Sequence, residues 1–244
     1  MYKITNIDLN NVKNLHEDFM MGKPNPSILI PNFLDSETTH LLNQECNNSD
    51  TSTWKVFTRN GSHMIENNKI ENLPEAYKAY SYLHSGPFLK WLELLTGIDG
   101  LIPDPHLVGA GYSRSFRGDT LKVHTDFNWN NDLKLYRTLS LIIYLTPEWK
   151  SEWGGGLEFY NSDNSEKVAT HSCLFNNCLI WKYDELGFHG YTKPIDCPEG
   201  ISRNSIRVFY YVSNEKFDDN FTPHRSLYWF DKKTNKPYDK KNEL

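Results

Sequence analysis

Short β-type segments separated by turn residues fill the second half of the chain, and this pattern is the strongest constraint on its fold. The segments cover 106–112, 121–127, 138–145, 157–160, 173–183 and 205–212, with Gly, Asn, Asp and Pro between them. Many short strands that follow helices are typical of a jelly roll, in which two antiparallel sheets face each other. We therefore predict a mainly β (α+β) fold with a jelly-roll core.

Helices and one strand are predicted before this core. Residues 27–30 have the composition of a short strand. Asp35-Ser36 can cap a short helix over 39–46. Apolar spacing over 73–96 predicts two helices with a break at Ser85-Gly86-Pro87. These helices are expected to support the β core from one side.

A length of 244 residues favours a single domain with three regions. Region 1–104 is expected to hold a polar arm over 1–25 and then the strand and supporting helices. Region 105–213 is the predicted jelly-roll core. Region 214–244 is expected to be a lightly packed tail, anchored by the apolar residues at 227–230.

Composition excludes several classes of protein. With 26 Lys and Arg against 31 Asp and Glu, the formal net charge is −5, so we expect no nucleic-acid partner. Mean hydropathy is −0.64, and no segment approaches the roughly 20 apolar residues of a membrane span. Four cysteines without a C-x-x-C motif indicate a reducing compartment. We expect a cytoplasmic protein whose oligomeric state the sequence leaves open.

The triplet His124-Thr125-Asp126 is the first candidate for chemistry. It follows Leu121 and Val123 in a predicted strand, where a period of two places residues 124 and 126 on the same face. A second His-x-Asp triplet, at 16–18, lies in the polar arm and lacks this context. An imidazole and a carboxylate side by side can occupy two adjacent positions of a metal ion.

His189 is the candidate third ligand, 65 residues after His124, within Gly187-Phe188-His189-Gly190. Two histidines and one carboxylate leave three positions of an octahedral ion open, an arrangement typical of non-haem Fe(II) oxygenases. The alternative is a loop histidine bonded to a neighbour.

The segment Arg203-Asn204-Ser205 predicts an anion site. In an extended strand Arg203 and Ser205 face the same way, so a guanidinium and a hydroxyl can bind one carboxylate together. Arg207 lies on the same face and is a rival anchor. An ordinary surface ion pair is the alternative for either arginine.

Five sequence elements in this order resemble the prolyl-4-hydroxylase-like branch of the 2-oxoglutarate and Fe(II)-dependent dioxygenases, over roughly 105–213. They are His124-Thr-Asp-Phe127, Arg137-Thr-Leu-Ser-Leu-Ile-Ile-Tyr144-Leu-Thr, Trp153-Gly-Gly-Gly-Leu157-Glu-Phe, Phe188-His189-Gly190 and Arg203-Asn-Ser205. The resemblance implies a double-stranded β-helix of the jelly-roll or cupin-like type.

The same resemblance implies the cofactors and the residues that hold them. His124, Asp126 and His189 correspond to the iron ligands. Arg203 and Ser205 correspond to the pair that binds the distal carboxylate of 2-oxoglutarate. Fe(II), 2-oxoglutarate and O2 are the implied cofactor and cosubstrates, with ascorbate as the expected reductant.

Other pocket residues follow from the resemblance or remain open. Tyr144 matches a tyrosine that contacts the same carboxylate, and Tyr112 matches another pocket tyrosine; a core tyrosine is the alternative for each. Arg137 and Trp181 are candidates for the substrate side. An internal ion pair explains Arg137 equally well.

The expected reaction couples decarboxylation of 2-oxoglutarate to succinate with hydroxylation of a C–H bond, in a prolyl residue of a peptide or protein. The same chemistry on a free amino acid or small metabolite is the first alternative. A jelly-roll module that binds a metal or sugar without turnover is the second, and it would not need Arg203 and Ser205. A nucleic-acid demethylase is disfavoured by the acidic balance.

Overall fold

A computed structural model of the protein describes residues 4–8, 12–59, 61–213, 221–228, 230–231 and 236–237. Four α-helices are found within these ranges: α1 (Lys13–Met21), α2 (Ser36–Asn48), α3 (Pro74–Leu83) and α4 (Gly86–Thr96). The strands in the same ranges are β1 (Ser27–Ile30), β2 (Lys55–Arg59), β3 (Ser62–Asn67), β4 (Ile102–Pro103), β5 (Gly111–Ser115), β6 (Leu121–Thr125), β7 (Trp129–Asn130), β8 (Leu135–Tyr144), β9 (Leu157–Tyr160), β10 (Lys167–His171), β11 (Cys178–Lys182), β12 (His189–Tyr191), β13 (Arg203–Val212), β14 (Leu227–Tyr228), β15 (Phe230–Asp231) and β16 (Lys236–Pro237).

Two antiparallel sheets form the core. The larger sheet has the order β1-β11-β8-β13-β5-β3-β2, with β4 beside β13 and β7 beside β8. The smaller sheet has the order β10-β9-β12-β6-β14. Along the chain the strands from β8 to β13 move back and forth between the sheets, as in a jelly roll. The predicted mainly β fold is confirmed.

Strand β8 shows how the core is divided. Leu139, Leu141 and Ile143 pack into the cluster that contains the helices. Ile142 and Tyr144 belong to the second cluster, on the other face of the strand. Successive side chains of a strand point to opposite faces, so from Leu139 to Tyr144 the odd positions pack on the helical layer while the even positions face the interior between the sheets.

The predicted helix signals are confirmed. The Asp35 carboxylate accepts a hydrogen bond from the backbone N–H of Thr38 and begins α2. Gly97 ends α4 in the left-handed conformation, with φ of 69°, and its N–H donates to the carbonyl of Glu93. A residue other than glycine would be strained there.

Two predictions near the N-terminal half are wrong. Part of the expected polar arm is helix α1, which packs the fully buried Phe19 and places His16 Nδ1 2.9 Å from the carbonyl of Leu95. The strand expected over 106–112 begins at Gly111, because the Asp104 carboxylate accepts backbone hydrogen bonds from residues 106 and 108 and holds a turn.

The hairpin β2–β3 and the short strand β14 also depart from expectation. The sequence analysis assigned no strand to 55–70, where β2 and β3 form an antiparallel pair that extends the larger sheet. Leu227 and Tyr228 form β14 and pair with β6, whereas the sequence analysis expected this region to be a lightly packed tail. Trp229, another proposed anchor, lies outside the described residues.

No helix in the described ranges is long and apolar enough to cross a membrane.

The start of α3 depends on a side chain from α2. Leu73 at its N-cap gives no side-chain hydrogen bond. Instead the Glu45 carboxylate accepts 2.8 Å hydrogen bonds from the backbone N–H groups of Glu75 and Ala76, and a third from the Tyr112 hydroxyl. A carboxylate at this end also interacts favourably with the helix dipole.

We expect Glu45→Ala to lower the free energy of unfolding by about 3 kcal/mol, because it removes a charged acceptor from three donors, one of them buried. Urea denaturation at neutral pH measures this. The control is Glu71→Ala, an exposed position just before α3, which should change stability by less than about 0.5 kcal/mol. Equal effects of the two substitutions would contradict the capping role of Glu45.

Candidate active site

Two histidines face each other across the smaller sheet. His124 on β6 and His189 on β12 are direct partners in the antiparallel register. Directly opposite residues of such a pair share a face and lie close together. Their ring centroids are 4.6 Å apart, and both side chains are buried.

Asp126 completes this group. It follows the end of β6, and its two carboxylate oxygens lie 3.7 Å from His124 Nε2 and 3.5 Å from His189 Nε2. The three candidate ligand atoms all lie within 4.8 Å of one another. The structure therefore brings together the three side chains that the sequence indicated.

Backbone carbonyls orient both imidazoles. His124 Nδ1 is 2.8 Å from the carbonyl of Lys122, and His189 Nδ1 is 2.9 Å from that of Gly187. A carbonyl only accepts, so each Nδ1 carries a proton, and Nε2 is the ring nitrogen that faces Asp126. Burial, followed by the charge of His189, lowers the pKa of His124 to about 4. The neutral form is the one that binds metals.

Arg137 balances the carboxylate. Its Nη2 donates to Asp126 at 2.7 Å and to the Ser140 hydroxyl at 2.8 Å, and its guanidinium lies 3.5 Å from the centroid of the Phe209 ring. Burial opposes ionisation of Asp126, but Arg137 and then the two histidines outweigh it, so the pKa of the carboxyl is below its usual value. Arg137 lines the cavity, with one amino group already engaged.

A second polar cluster lies between β8 and β13. Ser205 is the register partner of Tyr144, and the Arg203 guanidinium lies 4.7 Å from the Tyr144 ring centroid and 5.1 Å from that of Tyr191. Arg203 Nε, the Ser205 hydroxyl and the Tyr144 hydroxyl are buried without a hydrogen-bond partner. Burying such groups unpaired is costly, so their grouping indicates a site for a ligand.

Both clusters fit the expected cofactors. Two imidazoles and one carboxylate are a donor set that Fe(II) accepts. Hydroxyls and a guanidinium, at the second cluster, offer hydrogen bonds to an anion such as the distal carboxylate of 2-oxoglutarate. Gly155 makes room there, because a Cβ on it would lie 2.8 Å from Arg203 Cδ.

Strand alternation separates the tyrosines. Ser113 and Ser115 pair with Ser205 and Arg203 and share their face, so Tyr112 points the opposite way. Its hydroxyl donates to the Glu45 carboxylate at 2.8 Å and lies 3.1 Å from the carbonyl of Leu42, and its ring stacks on Trp54. The structure therefore gives Tyr112 the position of a core tyrosine and does not support its expected place in the pocket.

Tyr191 is the pocket tyrosine that the sequence analysis missed. It lines the cavity, and its hydroxyl lies 2.9 Å from the Ser115 hydroxyl. Period two from His189 would have indicated it, but β12 has only three residues and was not recognised as a strand. Arg207, the rival anchor, donates to Glu66 at 2.7 Å.

Aromatic rings enclose the histidines. Trp181 lies 5.8 Å from the His189 ring centroid and packs edge to face on Phe159. On the other side Tyr228 stacks on His124, with ring centroids 4.9 Å apart and an interplanar angle of 17°. Both polar clusters open into one cavity of about 800 Å³.

Comparison with known proteins agrees with this geometry. Residues 110–211 match the family model of the 2OG-Fe(II) oxygenase superfamily. No curated protein matches the sequence.

Solved structures share the fold at low sequence identity. A prolyl hydroxylase from Trichoplax adhaerens, in complex with a peptide fragment of the hypoxia inducible factor oxygen degradation domain, is 19% identical with a TM-score of 0.60, over 83% of this chain and 90% of that one. A Pseudomonas putida prolyl-4-hydroxylase is 15% identical with a TM-score of 0.52, over 87% and 97%. The non-heme alpha ketoglutarate dependent epimerase SnoN from nogalamycin biosynthesis is 10% identical with a TM-score of 0.60, over 90% and 94%.

The epimerase shows that this fold is compatible with more than one reaction. Fold, matched segment and donor set nevertheless agree on the cofactors. Residues 110–211 carry the match to the 2OG-Fe(II) oxygenase superfamily, and together with the three candidate ligands this match supports a 2-oxoglutarate-dependent dioxygenase.

Proposed function

We propose that this dioxygenase hydroxylates a prolyl residue within a peptide or protein. The observation that carries the proposal is the single cavity into which the His124, Asp126 and His189 cluster and the Arg203 cluster both open. When bound, Fe(II) and 2-oxoglutarate supply the oxidising chemistry, in which O2 and 2-oxoglutarate give succinate, CO2 and one oxygen atom for a C–H bond.

His124, Asp126 and His189 would hold the iron through Nε2 and carboxylate oxygens. The carbonyls of Lys122 and Gly187 keep the rings in the tautomer that leaves Nε2 available. Arg137 keeps Asp126 ionised and restricts its orientation. These contacts prepare the ligands before a metal arrives.

Arg203 would bind the distal carboxylate of 2-oxoglutarate, with the hydroxyls of Ser205 and Tyr144 as further donors. All three groups have unused hydrogen-bonding capacity in a buried place, which a carboxylate would satisfy. Arg203 is preferred to Arg207, because the latter already forms an ion pair with Glu66. Trp181 and Phe159 would exclude water from the reacting centre.

The extent of the cavity favours a peptide over a free metabolite. Its volume of about 800 Å³ is within the roughly 300–1,000 Å³ of small-molecule pockets, but the cavity is not confined to the buried histidines: it continues to exposed residues such as Lys55 and Asp132. A chain passing through it could present one side chain to the iron. The Trichoplax adhaerens relative was solved with a peptide, which supports the same interpretation.

The activity is tested by supplying the protein with Fe(II), ascorbate, O2 and 2-oxoglutarate. We expect succinate to form and a proteome extract to gain one oxygen atom per modified proline, as measured by mass spectrometry. His124→Ala should abolish both, because the triad loses a ligand. If only free metabolites gained oxygen, the prolyl proposal would be refuted and the assignment as a dioxygenase would stand.

Arg203→Met and Arg207→Met form a matched pair that distinguishes the two anchors. We expect the first to raise the apparent KM for 2-oxoglutarate by at least about 100-fold, because a charge-assisted bidentate contact is lost. The second should change it by less than about threefold. Dependence of succinate formation on 2-oxoglutarate concentration measures both, and the reverse order would transfer the role to Arg207.

Arg137→Met should lower the free energy of unfolding of the metal-free protein by about 3–5 kcal/mol, because Asp126 loses the partner of its buried charge. Saturating Mn(II) should reduce this deficit by supplying a replacement cation. Arg117→Met is the control, because its ion pair with Asp196 is exposed and contributes less than about 1 kcal/mol. Denaturant unfolding with and without metal measures these differences, and equal losses would exclude the charge-balancing role.

A further inference from the structure

Charged side chains are distributed unevenly around the cavity. Among the described residues that line it, six are basic and three are acidic; the basic ones are Lys55, Arg59, Arg137, Arg203, Arg207 and Arg225, and the acidic ones are Glu66, Asp126 and Asp132. The lining therefore has a positive excess in a protein whose formal net charge is −5. Bound cofactors do not remove it, because the charges of Fe(II) and the 2-oxoglutarate dianion cancel each other.

Ion pairs account for the deeper part of this charge. Arg137 is paired with Asp126 and Arg207 with Glu66, each at 2.7 Å. Arg203 belongs to the proposed 2-oxoglutarate site. Three basic residues remain at the mouth. Lys55 is 3.8 Å from Glu66, which it shares with Arg207, while Arg59 and Arg225 form no ion pair within the part of the chain that the structure describes.

Arg59 lies close to the proposed iron site. Its guanidinium carbon is 5.6 Å from the Tyr228 ring centroid, and Tyr228 in turn stacks on His124 at 4.9 Å. These two contacts place the guanidinium within about 11 Å of the His124 ring, the length of about three residues of extended chain.

Arg225 is carried on a segment that is fixed to the pocket wall. The Asn128 carboxamide accepts a hydrogen bond from the backbone N–H of His224 and donates one to the carbonyl of Thr222. His224 Nε2 also lies 2.6 Å from a Glu185 carboxylate oxygen. Arg225 is itself exposed beside these contacts, so its charge faces the mouth of the cavity.

We propose that Lys55, Arg59 and Arg225 bind an acidic residue of the peptide substrate, within about three residues of the target proline. The inference deepens the proposed function and rests on it. Guanidinium groups bind carboxylates with two parallel hydrogen bonds, and a basic mouth would also accelerate encounter with an acidic segment. Nucleic acid is the less suitable ligand, because Glu66 and Asp132 interrupt the basic residues and a phosphate backbone is uniformly charged.

The test uses the protein loaded with Mn(II) and N-oxalylglycine, an inert mimic of 2-oxoglutarate. Fluorescence anisotropy measures binding of labelled proline-centred peptides that carry Asp, Asn or Lys at positions one to three residues from the proline. We expect the Asp peptides to bind at least about tenfold more tightly than the Asn peptides, with the Lys peptides weakest, and the preference to decrease with added salt.

Charge reversal makes the test specific. Arg59→Glu combined with Arg225→Glu should reverse the order, so that Lys peptides bind more tightly than Asp peptides, a result that an unfolded variant could not give. The control Arg117→Glu lies outside the cavity lining and should keep the original order. An unchanged order in the double variant would overturn the inference, as would equal binding of free aspartate or tighter binding of a single-stranded oligonucleotide.

Hydroxylation of the same peptides, measured by mass spectrometry with Fe(II) and 2-oxoglutarate, separates the two proposals. Prolines hydroxylated equally in Asp, Asn and Lys peptides, with no preference in binding, would refute the acidic preference and leave prolyl hydroxylation in place. A preference for Asp peptides in binding, with oxygen gained only by free metabolites, would refute the prolyl reaction while the charge recognition stood.

Discussion

The direct pairing of β6 with β12 is the constraint on which the site depends. It sets His124 opposite His189, although 65 residues separate them in the sequence. Asp126 reaches the same point because it follows His124 after only one intervening residue. Since side chains alternate along a strand, a shift of the register by one residue would turn one imidazole away from the other. The smaller sheet thus determines the geometry of the three candidate ligands.

Two kinds of buried polarity coexist around this pairing. The Asp126 charge is balanced inside the protein by Arg137. Arg203, by contrast, forms no ion pair among the described residues, and its Nε and the hydroxyls of Ser205 and Tyr144 have no hydrogen-bond partner. The first arrangement stabilises the protein before any metal binds, whereas the second leaves a cost that only an incoming anion removes. The Arg203 cluster therefore keeps hydrogen-bonding groups available for the cosubstrate, whereas the Asp126–Arg137 pair contributes to the stability of the protein.

The sequence predicted those features that depend on local pattern. Apolar spacing and capping residues located α2, α3 and α4, and turn residues located most of the long strands. The triplet at 124–126 was distinguished from the one at 16–18 by its strand context. Hairpin β2–β3 was not predicted, and in the structure β3 pairs with β5, a strand distant in sequence that local pattern does not indicate. Helix α1 escaped because most of its residues are polar, and Phe19 is its one fully buried side chain.

The tyrosines illustrate the remaining limit. Tyr112 lies on β5 of the larger sheet and Tyr191 on β12 of the smaller one, and the face that each presents is set by register with distant strands. Without knowledge of the partner strands, the sequence cannot indicate whether a tyrosine before the metal-binding strand or one after it lines the pocket. For the same reason, the sequence could not distinguish a substrate contact from an internal ion pair as the role of Arg137. Its partner became known only when Asp126 was placed beside it.

Strand β14 has a consequence for how the enzyme is delimited. The family match ends at residue 211, yet the ring that covers His124 comes from residue 228, on a strand that closes one edge of the smaller sheet. A fragment trimmed to the matched segment would retain every candidate ligand and expose both that edge and one side of an imidazole to solvent. The candidate active site therefore extends beyond the segment that matches the family model. Sequence changes after residue 211 would alter the environment of His124 without changing any candidate ligand.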